Sequence, residues 1–469
     1  MTRCGSSAPA GTSFRPSSPS SRPPTTAFRC SSTTTARTSV TTTPAIHFTT
    51  LGCPKNEVDS DRMSASLGAA GFRITEDLDS ADVAVLNTCA FISDAVEEAI
   101  AVILELAEWK AAVAGRAVVV TGCLPSRYGD TVVPEFPEVD AFVPVAEEGG
   151  LVSVLSRLTA TPVTDSGGVR RTAPGPTAYL QISDGCHRRC AYCTIPSIRG
   201  PYRSAPLDDL LAEARFLLSH GARELVLIGQ DISAYGRDLA STEGLPGVLR
   251  GIVALPGDFR VRLMYVQPDG VTDELLAVMA DSPKICRYLD IPLQHASRNV
   301  LRAMHRSGDA ESFLELLARV RAALPGVSLR TTVMAGFPGE TRADARVLEQ
   351  FLRDAAFDYV GVFAYSPEEG TEAGDREDQV PRRTRLARAQ RLRDIGDAAG
   401  LARAASYVGD IVPVLFESFD QDGNSVGRTC GQAPEIDGEV VVGESVAVGE
   451  TRLARIIGSA GYDLIGELA

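Results

Sequence analysis

The sequence predicts a multidomain α/β protein: an N-terminal parallel α/β domain, a central full or partial β/α barrel, and a small C-terminal β-barrel. Two patterns and one compositional fact predict it. Short apolar runs alternate with helical stretches from residue 46 to about 403, which implies parallel sheets with crossover helices. Residues 404–469 instead read as β-rich segments punctuated by Gly, enough for one small barrel. The 469 residues are 44% hydrophobic and 23% charged, ordinary for a soluble globular protein of several domains. No uncharged apolar run approaches the roughly 18 residues of a membrane span.

Residues 1–45 stand outside this pattern. They hold ten Ser, eleven Thr and five Arg, with no Asp or Glu. The formal charge of −14 therefore becomes −19 over the rest of the chain. Without hydrophobic periodicity the segment cannot bury enough surface to offset the entropy of ordering it, so a disordered or misassigned extension is expected, dispensable for activity. Its Arg- and Ser-rich, acid-poor composition also resembles a transit signal, but Pro16, Pro19, Pro23 and Pro24 break any amphipathic helix. Cys4 and Cys30 within it are expected to be incidental.

The first domain is expected over 46–165. IHFTTL (46–51), VAVLNT (83–88) and AVVVT (117–121) read as strands, with helices near 56–70 and 95–112. A Gly- and Pro-rich linker follows. The second domain, 172–403, offers strands at 179–183, 224–229, 261–266, 287–291, 328–334 and 359–365, separated by helices such as Leu207–Ser219 and Arg342–Ala355. In such a barrel, chemistry collects at the C-terminal strand ends. The third domain, 404–469, carries eleven acids against Arg428, Arg452 and Arg455. With a pI near 5.0, the chain lacks the basic footprint of a protein built mainly to grip a phosphate backbone.

Ten cysteines are too sparse for a secreted disulfide scaffold, so most are expected as thiols and some as ligands. GCHRRCAYC places Cys186, Cys190 and Cys193 on one short loop after the first barrel strand. Three thiolates converging there suit a soft metal or an iron–sulfur cluster. A zinc site needs a fourth ligand, and His187, adjacent to Cys186, is poorly placed to supply it. Cys53, Cys89 and Cys123 are 36 and 34 residues apart, too far for one chelating loop. Each follows a predicted strand, however, and the C-terminal ends of parallel strands share one edge where three thiols can converge. Buried core cysteines are the plainer alternative.

The C-x3-C-x2-C loop with Tyr192 before its last Cys resembles the radical S-adenosylmethionine (SAM) superfamily. The further motifs LGCPKNEVDS, SDGCHRRCAYCTIPSIRGPYRS, GQDISAYG, LDIPLQHAS and FAYSPEEGTEA narrow the resemblance to its methylthiotransferases, over nearly all of 46–469. Ala90, Ile232 and His187 depart from the family pattern without removing a cysteine. The tRNA-modifying members read GCQMN at the first Cys and YS-x-RPGT near the barrel's end, where this chain has Glu368–Glu369. The resemblance is therefore to the branch that modifies a ribosomal protein.

That resemblance implies a cluster domain, a radical SAM domain and a TRAM domain, in that order. It implies two 4Fe–4S clusters, one on Cys186, Cys190 and Cys193, the other on Cys53, Cys89 and Cys123. The first would leave an iron open to the amino and carboxylate groups of SAM, whose reductive cleavage gives a 5′-deoxyadenosyl radical. The second would hold the sulfur to be delivered, and a second SAM would supply the methyl group. The implied target is the β-carbon of an aspartate in small-subunit ribosomal protein S-twelve, free or in the assembled subunit. An electron donor, a cytoplasmic monomer, no tRNA and no membrane partner complete the implication. No catalytic side chain beyond the cluster ligands is expected. Gln230 and Asp231 end a barrel strand and are candidates for SAM contact, as are Gly336 and Gly339 in MAGFPGET (334–341). His295 is a candidate pocket residue, and Cys286 and Cys430 read as ordinary small apolar residues. The Arg-rich, acid-free run 382–393 could touch rRNA, though a solvated helix face is the commoner meaning. Two rival functions stay open: a tRNA adenosine methylthiotransferase, and a non-catalytic metal-cluster protein that binds ribosomes.

Overall fold

The structure is a computed structural model describing residues 43–162, 171–172, 175–239 and 243–469. Cys4 and Cys30 lie outside the described residues, as does the segment expected to be disordered up to Thr42.

The first sheet is wholly parallel, in the order β2-β1-β3-β4-β5. Its strands are β1 (Ala45–Thr50), β2 (Arg73–Thr75), β3 (Val83–Thr88), β4 (Ala117–Gly122) and β5 (Ala141–Pro144). Its helices are α1 (Pro54–Ala69), α2 (Ser93–Ala112), α3 (Cys123–Tyr128) and α4 (Leu151–Thr159). Every residue of β3 is buried, because helices cover both faces of the sheet. Ile103, Leu106 and Trp109 of α2 pack on one face, and Met63, Leu67, Leu151 and Leu155 of α1 and α4 on the other.

The central domain contains β6 (Thr177–Gln181), β7 (Ser183–Asp184), α5 (Ile195–Arg199), β8 (Arg203–Ser204), α6 (Leu207–Ser219), β9 (Glu224–Ile228), α7 (Gly244–Val253) and β10 (Arg260–Leu263). It continues with α8 (Asp273–Asp281), β11 (Tyr288–Asp290), α9 (Arg298–Ala303), α10 (Ala310–Ala323), β12 (Ser328–Ala335), α11 (Arg342–Ala355), β13 (Tyr359–Ala364) and α12 (Arg382–Ser406). Two parallel sheets, β10-β9-β6 and β11-β12-β13, meet through a single bridge between Val261 and Ile285. This is a partial barrel of the six expected strands. The Arg-rich run forms the start of α12, where Arg382, Arg383 and Arg391 are exposed and Arg385, Arg388 and Arg393 turn inward. Arg385 donates to Tyr365 O and Arg393 to Val362 O, while Arg388 pairs with Glu340 at 2.7 Å. These arginines tie α12 to the loops and strands beside it.

The last domain is a closed barrel, β14-β15-β16-β18-β17, built from β14 (Ile411–Phe419), β15 (Ser425–Arg428), β16 (Val440–Val442), β17 (Thr451–Ala460) and β18 (Asp463–Leu468). Val414, Phe416, Val440, Val442 and Ile456 fill it. No described helix is long and apolar enough to cross a membrane.

A buried ionic knot joins this small barrel to the central one. Glu224, at the start of β9, is fully buried, and so is its partner Arg262 at 2.6 Å. Arg428 of β15 lies 3.3 Å from Glu224 and 2.6 Å from Glu417, and Arg260 also pairs with Glu224. Arg262 donates further to the Cys430 and Thr429 carbonyls. Burial alone would raise the Glu224 carboxyl, but the charges of Arg262, Arg260 and Arg428 outweigh it and hold it well below the usual carboxylate range. The stability this acid contributes is therefore complete above the ordinary glutamate range. It is lost only as pH falls through that range towards the lower folded value. Replacing Glu224 with Ala would leave the buried Arg262 guanidinium without a carboxylate, while Arg428 keeps Glu417, and chemical denaturation at neutral pH should show a loss of about 3–5 kcal/mol.

Candidate functional site

Parallel pairing brings the first three cysteines to one edge. Thr88 pairs with Gly122 across β3 and β4, so Cys89 and Cys123 leave the sheet side by side. Thr50 pairs with Asn87, and β1 runs on to Cys53, the N-cap of α1. Two glycines allow the approach. Gly52 has φ +102°, and a Cβ there would stand 2.6 Å from the Cys89 Cβ. Gly122 has φ +93°, and its Cβ would meet Asn87 Oδ1 at 2.2 Å and the Thr88 backbone at 2.6–2.8 Å. Buried Asn56 pins α1 to β3 through the Thr88 carbonyl at 2.9 Å and the Asn87 side chain at 3.1 Å. Burial pushes the Cys123 thiol up to about 12, and the proximity of Cys89 and Cys53 adds to the rise while Arg199 opposes it. Burial raises Cys89 as well, against the Phe91 N–H that favours its thiolate.

The second set lies at the same end of the central barrel. Cys186 follows β7 and Gly185, and its sulfur accepts the Arg188 N–H at 3.3 Å. The loop is clamped through Ala191, whose N–H donates to Met304 O at 3.2 Å and whose carbonyl accepts from Ala373 at 2.8 Å. Tyr192 packs edge-on against Phe337. Burial pushes the Cys193 thiol up to about 12, helped by its neighbours Cys190 and Cys186. Arg306 lies 3.8 Å from the Cys190 sulfur, held by Gln267 and the Pro292 carbonyl at 2.7 Å each.

Gln230 and Asp231 lie just beyond the end of β9, which stops at Ile228, beside this loop. Gln230 donates to Asp184 at 3.0 Å, and its own carbonyl oxygen is buried without a partner. Buried Asp231 takes the Arg188 guanidinium at 2.6 Å. Gly336 and Gly339 lie beyond β12, where added Cβ atoms would strike Arg385 at 2.3 Å and Asp378 at 2.6 Å. Their smallness thus serves the packing of α12 and the segment before it. His295 is wholly buried; its Nδ1 accepts the Ser297 N–H at 2.9 Å, and Nε2 faces Glu340 at 3.7 Å without a hydrogen bond. Cys286 and Cys430 pack into one apolar cluster with Val226, Ile228 and Tyr288.

Three residues to which sequence reasoning gave no structural role join the two cysteine domains. Arg199, ending α5, is buried against Asp59 of α1 at 2.6 Å and Asp184 at 3.6 Å, with its guanidinium 3.9 Å from the Cys123 sulfur. Glu368 reaches from beyond β13 to the start of α2. It accepts the Ser93 N–H at 3.0 Å and pairs with Arg127 at 3.0 Å, a carboxylate where the helix dipole favours one. Lys55 crosses to the Gly229 carbonyl at 3.5 Å. Only the partner domain gives these side chains their meaning, so no local signal marks them.

All eight described cysteines are free. Among the described residues, no group of three or more His, Cys, Asp or Glu is arranged to hold a single metal ion. Three cysteines of a cubane each bind a different iron, so they stand further apart than the ligands of one ion, and the donor set fits such a cluster.

A partial β/α barrel with a three-cysteine loop after its first strand defines a radical SAM enzyme, here extended by a three-cysteine domain and a small β-barrel. Residues 45–144 match the uncharacterized protein family UPF0004, residues 180–352 the radical SAM superfamily, and residues 408–469 the TRAM domain. The ribosomal protein uS12 methylthiotransferase RimO of Geobacter sulfurreducens is 40% identical over 438 residues, covering 90% of this chain and 98% of the relative. The protein of the same name from Geotalea uraniireducens is 41% identical over 439 residues, with the same coverage of both chains. Among solved structures, the radical SAM methyltransferase TsrM from Kitasatospora setae, with cobalamin and a [4Fe-4S] cluster bound, shares the fold. Its TM-score is 0.53 at 16% identity, covering 71% of this chain and 77% of that one. The chain belongs to the RimO family of radical SAM methylthiotransferases. Membership of the superfamily brings a 4Fe–4S cluster and SAM as cofactors.

Gly122 offers a direct check on the cysteine edge. Gly122→Ala forces an L side chain into positive φ against backbone atoms, and should cost at least about 1–3 kcal/mol in chemical denaturation. Gly68→Ala, in open space within α1, should be neutral or stabilise by up to about 1 kcal/mol.

Proposed function

We propose that this enzyme methylthiolates the β-carbon of an aspartate in ribosomal protein uS12, free or in the assembled small subunit, in the cytoplasm and as a monomer. The observation that carries the reading is the buried seam between the two cysteine sets. Arg199, six residues after Cys193, lies within hydrogen-bond range of the Cys123 sulfur, so both sets open onto one boundary.

Cys186, Cys190 and Cys193 would hold the cluster that binds SAM, and Cys53, Cys89 and Cys123 a second 4Fe–4S cluster. Bound there, these groups supply the electron that cleaves SAM, after reduction by a donor protein, and the sulfur that is inserted. The chain's own work is to orient and to exclude water. Gln230 offers an unpartnered buried side-chain oxygen at the mouth of the barrel, suited to the amino end of SAM, and Asp231, whose oxygens take Arg188 and Ser233, positions the loop beside it. Glu368, Arg127, Lys55 and Arg199 hold the first domain against the barrel and keep water from the radical chemistry.

The last domain supports a protein substrate over tRNA. Eight of its eleven acids are exposed: Asp410, Asp422, Glu435, Glu439, Glu444, Glu450, Asp463 and Glu467. Arg428 is buried, so only Arg452 and Arg455 face solvent beside them. Such a surface repels a phosphate backbone and steers a basic ribosomal protein towards it.

The test is mass spectrometry of small-subunit ribosomal proteins from cells lacking the gene. uS12 should lose the mass of one methylthio group in place of hydrogen, wild-type protein should restore it, and the Cys186→Ala variant should not. Unchanged uS12 together with loss of a methylthiolated tRNA nucleoside would overturn the proposal.

A further inference from the structure

Four Lys and Arg residues are buried as whole residues among the described ones: Lys55, Arg199, Arg262 and Arg428. Three of them hold carboxylates, Arg199 with Asp59, Arg262 with Glu224 and Arg428 with Glu417, each at 2.6 Å. Lys55 differs. It is 8% exposed, yet no described carboxylate lies within ion-pair distance of it. Its ammonium makes one hydrogen bond, to the Gly229 carbonyl at 3.5 Å, and lies 4.2 Å from the centre of the Tyr265 ring. An ammonium carries three donors, so two have no acceptor among the described residues. Asp290 feels the charge of Lys55, but its oxygens already take the Arg330 guanidinium and the Tyr265 N–H, each at 3.2 Å. Buried charge without a partner is costly and is normally paired. The ring below it is itself held in a strained backbone, Tyr265 at φ +63°. Residual strain of this kind persists where surrounding structure enforces it, and it clusters at ligand clamps.

The location of Lys55 says which ligand would complete it. It stands two residues after Cys53, and its one acceptor, Gly229, immediately precedes Gln230 and Asp231 at the barrel mouth. The ammonium therefore lies between the edge carrying the first cysteine set and the strand end beside the second. We propose that Lys55 is a carboxylate receptor in the active site, and that the carboxylate it takes belongs to the aspartate being modified. This rests on the aspartate reading above. Holding the side-chain carboxylate fixes the adjacent β-carbon one bond away, and selects an acid over a neutral amide of the same shape. SAM carries a carboxylate too, and the test separates the two sources.

The probe is a uS12 peptide spanning the target aspartate, and a second peptide with Asn in its place. Equilibrium binding of both, and of SAM, is measured on anaerobically reconstituted full-length protein. Wild type should prefer the Asp peptide by roughly tenfold or more. Lys55→Met should bring that preference close to one, Lys55→Arg should keep part of it, and SAM affinity should change little in either. If Lys55→Met fails to reconstitute, Lys55→Gln, which keeps a donor but no charge, takes its place with the same expectation. A preference that survives loss of the charge overturns the proposal. Weakened SAM binding with the preference intact reassigns Lys55 to the carboxylate of SAM. An enzyme that methylthiolates uS12 but fails this test loses the role of Lys55 alone; one that neither binds the peptide nor modifies uS12 loses the functional reading as well.

Discussion

The arrangement depends on one buried ion pair that crosses a domain boundary, Arg199 with Asp59. Arg199 ends the five-residue helix after the cysteine loop, and Asp59 lies on α1, which begins just after Cys53. The pair fixes the C-terminal edge of one parallel sheet against the mouth of another. A buried pair of this kind is not itself a large source of stability, since desolvation offsets most of the attraction. Removing either partner is what costs, because an uncompensated charge then stays beside a sulfur ligand position. The geometry is thus specified more than it is strengthened.

A second polar lock acts at the opposite end of the barrel. Glu224, Arg262 and Arg428 join the small β-barrel to the N-terminal ends of the central strands, and Asp437 adds contacts to Tyr288 at 2.8 Å and Arg330 at 3.5 Å. The central barrel is therefore held by charge at both ends and by apolar packing between. Its mouth is covered by the cysteine domain, and its base carries the acidic domain whose remaining acids face solvent. A radical reaction needs the first of these conditions, and a basic protein substrate benefits from the second.

Much of this was legible in the sequence, for physical reasons. Val83–Thr88 and Ala117–Gly122 open on unbroken apolar runs, Val83–Leu86 and Ala117–Val120, because helices bury both their faces, and a cysteine directly after each strand points to a shared edge. The six barrel strands were legible in the same way. The strands Arg73–Thr75 and Ala141–Pro144 were not, being three and four residues long at the sheet edges. Helix Ile195–Arg199 is too short to show periodicity. Arginines 382–393 read as a solvated face, which holds for Arg382, Arg383 and Arg391, but a run of charge carries no record of the carbonyls and the Glu340 carboxylate that receive Arg385, Arg388 and Arg393. The contacts of Lys55, Arg199 and Glu368 stayed hidden for a similar reason, since each finds its partner more than a hundred residues away. The charge count over 404–469 treated Arg428, Glu417 and Asp437 as surface, whereas they hold the domain to the barrel.

Iron stoichiometry tests the two-site arrangement most directly. Protein reconstituted anaerobically should carry about eight iron atoms per chain, two cubanes on three cysteines each. Joint replacement of Cys186, Cys190 and Cys193 by Ala should leave about four and abolish SAM cleavage. Joint replacement of Cys53, Cys89 and Cys123 should also leave about four, while SAM cleavage continues without methylthiolated product. An iron content unchanged in the second variant, or zinc in place of iron, would contradict the existence of two clusters facing one seam.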